Sequence, residues 1–143
     1  MFKATVSIIT IIMQSIVFAT NNQHKVNEIK ALLGNAFEII TLKDAGITID
    51  IPEPYDTLEE NARTKALTIY EMTGKDCFGE DTGLEVEALQ GEPGVKSARY
   101  AGDNRDFAAN IDKLLQKLEG KANRSARFRT VISLIINGKE KKF

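Results

Sequence analysis

Residues 57 to 74, TLEENARTKALTIYEMTG, constrain the fold more than any other stretch of the sequence. Thr57 followed three residues later by Glu60 is a capping-box pattern, in which each side chain satisfies a backbone donor that a helix start leaves unpaired. Leu58, Ala62, Ala66, Ile69 and Met72 then recur at helical spacing, and Gly74 supplies the stop. Strand-like apolar residues flank this helix, FEIITL at 37–42 before it and Cys77-Phe78 after it. A helix held between strands points to an α/β domain.

The same punctuation continues in both directions. SIVFA (15–19) is a short β-branched and aromatic run. The polar TNNQ follows it, and then Val26, Ile29, Leu32 and Leu33 at helical spacing with Gly34 as the stop. Residues 44–56 read as a loop containing Pro52 and Pro54. After Phe78 the chain reads as an acidic turn, Glu80-Asp81-Thr82-Gly83, then LEVEAL (84–89) as a strand, then a QGEPG loop. Phe107, Ile111, Leu114, Leu115 and Leu118 predict an amphipathic helix ended by Gly120. RTVISLII (129–136) runs into Asn137-Gly138, the strongest short-range hairpin signal, with KEKKF as the returning strand.

Composition closes off several classes of function. With 143 residues, 43% hydrophobic and 27% charged, the chain has the make-up of one ordinary globular domain. A formal net charge of −1 provides no basic field for a nucleic-acid polymer, so any phosphate is held locally. The single cysteine, Cys77, has no intrachain disulfide partner and reads as a small buried hydrophobe. The N-terminal MFKATVSIITIIMQSIVFAT loosely imitates a secretory signal, but Thr10, Gln14 and Ser15 interrupt it and it falls short of the about 18 apolar residues of a membrane span. Met13 stands just before QSIVFAT. The expected division is therefore an extra leader at 1–12 and a domain at 13–143, with a signal or anchor segment as the alternative; no membrane partner is expected, and a cytoplasmic location is.

Several residue sets could carry chemistry. Thr20, Asn21, Asn22, Gln23, His24 and Lys25 lie where a strand gives way to a helix, and backbone donors, the helix dipole and a lysine there suit an anion. Short polar connections of this kind are also common without any ligand, and the Gly-rich spacing of a Walker loop is missing. Glu59 and Glu60 are explained by capping and the helix dipole. Glu53, between two prolines, has no such structural reason. Glu80 and Asp81 would point to opposite faces of a regular strand. A bend at Thr82-Gly83 could bring them to one ion, and Mg²⁺ prefers oxygen ligands shared with substrate phosphates. Lys65 and Arg99 could each face a phosphate chain or be plain surface charges. A lone histidine, His24, rules out a multi-histidine metal site.

Taken together, FATNNQHKVNEI, LEENARTKA, FGEDTGLEVEALQGEPGVKSARYAG and ARFRTVISL, in this order and spacing, resemble the inosine/xanthosine triphosphate pyrophosphatase family. The resemblance covers Met13 to about Ile136. It implies a mixed twisted sheet with flanking helices, two lobes around a central cleft, a homodimer, and Mg²⁺-dependent hydrolysis of a purine nucleoside triphosphate such as ITP, dITP or XTP to monophosphate and pyrophosphate. It assigns Thr20 to Lys25 to the triphosphate loop with Lys25 as its catalytic cation, Lys65 and Thr82 to substrate contact, and Glu53, Asp81 and Glu80 to the metal. Asp81 is also the proton acceptor, while Glu80 stands where many relatives have Asp. Family members continue beyond the equivalent of Phe143 with base-recognising segments, so the expectation is a fold incomplete at its C-terminus, with weak or no activity and an aggregation-prone sheet edge. An inactive nucleotide- or metal-binding remnant and a pyrophosphatase for modified pyrimidine nucleotides are the alternatives.

Overall fold

A computed structural model describes residues 13–143. The expected 1–12 leader lies outside the described residues.

The first strand, β1 (Gln14–Phe18), runs through the polar loop into α1 (Gln23–Leu33), whose N-cap is Asn22, and the chain returns as β2 (Phe37–Ile40), parallel to β1. A long irregular connection leads to α2 (Leu58–Thr73) and then to β3 (Cys77–Val86), which pairs parallel with the other side of β1. The two-residue β4 (Pro93–Gly94) pairs antiparallel with β3. Beyond α3 (Phe107–Lys117), β5 (Ala126–Ile136) and β6 (Lys139–Lys142) complete an open mixed sheet in the order β2-β1-β3-β5-β6. The α/β class with a mixed sheet and flanking helices is as expected. The hairpin dipeptide also behaves as expected: Asn137 and Gly138 have φ of 49° and 74° between β5 and β6.

Successive strand residues alternate between the two faces of the sheet, and each face has its own core. Val17, Cys77 and Ile135 point to the α2 side, where they pack with Ala66 and Ile69. Ile16, Phe18 and Phe78 point to the other side and meet Val26 of α1. Phe18 and Phe78 stack with ring centroids 4.3 Å apart. The Cys77 thiol donates to the Ala66 carbonyl at 3.2 Å, and burial pushes its pKa up to about 11, as befits an inert core residue. Among the described residues no helix is long and apolar enough to cross a membrane.

Three expectations need correction. Residues 80–83 form no turn. They sit inside the continuous strand β3, paired with Ile132, Val131, Thr130 and Arg129 of β5. The glycines of this stretch serve close approach rather than a bend. A Cβ on Gly79 would lie 2.7 Å from the amide nitrogen of Ala66 and 2.8 Å from Cβ of Lys65, so its absence lets α2 rest directly on the strand. A Cβ on Gly83 would lie 2.5 Å from the carbonyl oxygen of Gly94. The strand LEVEAL stops at Val86, and Glu87–Leu89 form a 3-10 turn. The apolar stripe of α3 is buried only toward its end: Phe107, Ile111 and Leu115 are exposed and Leu114 is half-buried, while Leu118 is buried.

Candidate functional site

The topology places a crevice before any side chain is considered. The β1-α1-β2 unit puts α1 on one face of the sheet, and the return through α2 to β3 puts α2 on the other. Strand order therefore reverses between β1 and β3, and open α/β sheets bind ligands outside the carboxyl ends of strands at such a point. Here β1 ends at Phe18, and Ala19 makes the last backbone bond to β3, at 2.9 Å to the Phe78 carbonyl. Beyond Phe78 the β1 side of β3 borders a cleft of about 1300 Å³.

Glu80 and Asp81 stand at this border, and alternation sends them to different helices. Glu80 lies on the α1 face, where its carboxylate accepts from Lys25 Nζ at 2.5 Å and from the Thr82 hydroxyl. Asp81 lies on the α2 face, 3.8 Å from Lys65 Nζ. Lys65 also pairs with Glu53 and donates to the Glu80 carbonyl at 3.0 Å. The other carboxylate oxygen of Glu53 faces Arg99 at 3.2 Å. Glu53, Asp81 and the Glu80 carbonyl thus converge on one ammonium, while the Glu80 carboxylate turns to Lys25.

Of the polar loop, Thr20, Asn21, Asn22 and Lys25 line the cleft. Gln23 and His24 lie outside its lining, and Gln23 donates along the helix to Asn27 at 2.8 Å. The Asn22 side chain caps α1 by accepting from the amides of His24 and Lys25, and the Asn22 amide donates to the Thr20 hydroxyl. These donors, expected to cradle an anion, are occupied within the loop itself. Asn21 donates to the Ile49 carbonyl at 3.1 Å and ties the loop to the opposite wall.

Burial acts to raise the Glu53 carboxyl, but the hydrogen bond and charge of Lys65, with Arg99 and Lys25, outweigh it and hold the group below its ordinary value. Asp81 goes the other way: burial raises it, Lys65 only partly offsets this, and the charge of Glu53 adds to the rise. The donor set at Lys65 is all oxygen and mostly anionic, which suits a hard divalent cation. Among the described residues no three or more His, Cys, Asp or Glu side chains converge, so an ion held by Glu53 and Asp81 would take further ligands from substrate phosphates or water.

Two buried asparagines that the sequence did not flag set the walls of the cleft. Asn61 in the first turn of α2 accepts from the Tyr55 amide and donates to the Tyr55 carbonyl, both at 3.0 Å, and so pins the loop that carries Glu53. Asn110 of α3 accepts from the Ala101 amide at 2.7 Å and donates to the Ala98 carbonyl at 3.0 Å, fixing the turn that carries Arg99. Their only advance signal is an amide residue on the inward side of a helix beside an irregular segment.

Comparison with known proteins accords with this geometry. The Ham1 family profile matches residues 16–143. The dITP/XTP pyrophosphatase of Flavobacterium psychrophilum is 51% identical over 128 residues, which are 90% of this chain and 67% of the relative. That of Flavobacterium johnsoniae is 50% identical over 87% of this chain and 65% of the relative. The chain thus spans about two thirds of the length of the curated relatives it matches. The solved Ham1 protein of Staphylococcus aureus superposes with a TM-score of 0.81 at 40% identity, covering 91% of this chain and 68% of that one. The Ham1 protein of Coxiella burnetii gives a TM-score of 0.82 at 36% identity over 91% of this chain and 68% of that one. With its sheet, crevice and residues 16–143 in agreement, the chain belongs to the Ham1 family, the inosine/xanthosine triphosphate pyrophosphatases that its motifs resemble.

Proposed function

We propose that this chain hydrolyses non-standard purine nucleoside triphosphates (ITP, dITP and XTP) to the monophosphate and pyrophosphate, removing them from the nucleotide pool. The observation that carries the reading is the convergence of Glu53 and Asp81 on a single cation at the switch-point cleft, beside the strand-to-helix loop and Lys25. The dITP/XTP pyrophosphatase names of relatives at about half identity support the substrate class.

Phosphoryl transfer needs positioning and positive charge more than covalent help. Glu53 and Asp81 would hold Mg²⁺, which would neutralise phosphate oxygens and acidify a water. Asp81 orients the attacking water and takes its proton. Lys25, drawn from Glu80, and Lys65 contact the phosphate chain, with Thr82 and the Thr20–Asn22 side chains completing the wall. Gln23 and His24 contribute through the outer side of the loop. Glu80 acts on Lys25 and Thr82 rather than through its own carboxylate on the ion. Homodimerisation and a cytoplasmic location are part of the proposal on the strength of the family alone.

The test is pyrophosphate release from ITP, XTP, ATP and a modified pyrimidine triphosphate, with Mg²⁺ and with EDTA. Release from ITP and XTP that EDTA abolishes supports the reading, and Asp81→Asn should lower it by roughly 10²-fold or more. Selective release from the pyrimidine substrate, or full turnover in Asp81→Asn, would overturn it.

A further inference from the structure

The least expected feature of the cleft is a lysine in the midst of the oxygens that suit a metal. Lys65 is nearly buried, and its side chain runs from the face of α2 that rests on β3, alongside the space left by Gly79. Its ammonium has oxygen neighbours from three directions: Glu53 from the proline loop, Asp81 from β3, and the Glu80 carbonyl at 3.0 Å. A buried and a half-buried carboxylate brought together without a cation would repel, and removing one partner from such a set is costly. A lysine is the removable kind of counter-charge, a point charge on a flexible stem. Lys65 also lines the open cleft, so its ammonium has somewhere to go, whereas Arg99 holds the other oxygen of Glu53.

We propose that Lys65 is the built-in placeholder cation of the Glu53–Asp81 pair, that it yields this place to the divalent ion, and that its displaced charge settles on the substrate's phosphate chain. The metal and the polyphosphate then strengthen each other's binding through one side chain. This rests on the pyrophosphatase reading above, since it takes Glu53 and Asp81 as the metal pair. In the metal-free protein Lys65 keeps the two carboxylates apart from one another and aimed inward, so the site is formed before loading. Either ligand alone meets resistance: the ion must expel the lysine, and the phosphate must draw it from two carboxylates. Coupling of this kind is reciprocal by thermodynamic necessity.

The experiment is calorimetric titration of the full chain with MgCl₂, with inorganic tripolyphosphate, and with each in the presence of the other. In the native chain each should raise the other's affinity about tenfold. Lys65→Met should lower the metal-free melting temperature, tighten Mg²⁺ binding about tenfold because the competitor is gone, and reduce the coupling to what direct contact between the ion and the phosphates supplies. Mg²⁺ binding no tighter in Lys65→Met than in the native chain, or coupling left intact, would overturn the proposal. Glu53→Gln and Asp81→Asn separate this from failure of the underlying reading: if neither weakens Mg²⁺ binding in the native background, it is the metal pair that is wrong. Should Lys65→Met fail to fold, Lys65→Gln carries the same titrations. If both fail, refolding by MgCl₂ but not by NaCl of equal ionic strength supports the placeholder role, and no refolding overturns it.

Discussion

Helices α2 and α3 have the same kind of sequence, apolar residues at helical spacing behind an N-cap, and α3 has the sharper pattern of the two. Their fates differ. In α2 Leu58, Ala62, Ala66 and Ile69 are fully buried, and the helix backbone lies on the strand at Gly79. In α3 Phe107 is 76% exposed and Ile111 56% exposed, and the helix is attached instead by polar groups. Asn110 bonds the 98–101 backbone, Lys113 donates to the Tyr100 carbonyl at 2.5 Å, and Lys117 pairs with Glu92 at 2.6 Å. Periodicity is a property of one segment, whereas burial is a property of two. The first was legible for both helices; the second depended on whether a glycine-bearing strand lay opposite.

The comparison breaks first at Gly79. Gly79→Ala should destabilise the chain by about 3 kcal/mol, because the added methyl meets backbone of α2 that cannot rotate away. Urea unfolding measures it, and an unchanged midpoint would mean that α2 does not rest on the strand. Ile69→Ala should cost about 3 kcal/mol through the cavity it leaves. Its counterpart Ile111→Ala should stay within about 0.5 kcal/mol, so equal losses would erase the contrast between the helices.

The asparagines sharpen it further. Asn61→Ala and Asn110→Ala should each cost about 2 kcal/mol by removing two part-buried hydrogen bonds that tie an irregular segment to a helix. Steady-state kinetics should then separate them: Asn61→Ala raises the Mg²⁺ concentration needed for half-maximal turnover through the Glu53 loop, while Asn110→Ala mainly raises KM through the Arg99 segment. Identical kinetic profiles would mean that the two walls of the cleft are not independent.

The smallest effect is on acid stability. Arg129 joins Glu59 of α2 to Glu85 of β3, and Lys117 joins α3 to Glu92. Hydrogen bonds from Arg129 hold the Glu59 and Glu85 carboxyls below the ordinary 4.5, and those from Lys117 and Tyr100 do the same for Glu92. A carboxyl lowered on folding stabilises the native state above its unfolded value, and that contribution fades as pH falls from 4.5 through the folded value. Glu85→Gln and Glu92→Gln should each lower the melting temperature slightly at pH 7, leave it nearly unchanged well below pH 4.5, and so flatten the acid limb of the profile. Steepening of that limb in either variant would contradict the ion-pair assignment.

The elements whose signals are local were readable in advance. Thr57 does accept from the Glu60 amide at 3.2 Å, Gly34 and Gly74 do end their helices, and Asn137-Gly138 does turn the last hairpin. Gly83 misled because a glycine looks the same in a turn and beneath a tightly packed neighbour, here Gly94, and the close approach of residues 62–66 to Gly79 gave no local signal because those neighbours come from another part of the chain. The strand rule by itself already sent Glu80 and Asp81 to opposite faces; introducing a bend hid that each has its own lysine. Asn61 and Asn110 were illegible because their partners are backbone atoms of irregular segments.

Glu80 on Lys25 and Asp81 on Lys65 make the chemistry of the cleft inseparable from strand alignment. Inserting or deleting one residue between Cys77 and Glu80 would exchange the two acids between the two helices, giving the longer arm to Lys65 and the shorter one to Lys25. Along β3, then, a frame error of a single position is a change of reagents, and the snug seating of Gly79 and Gly83 against their neighbours proofreads it.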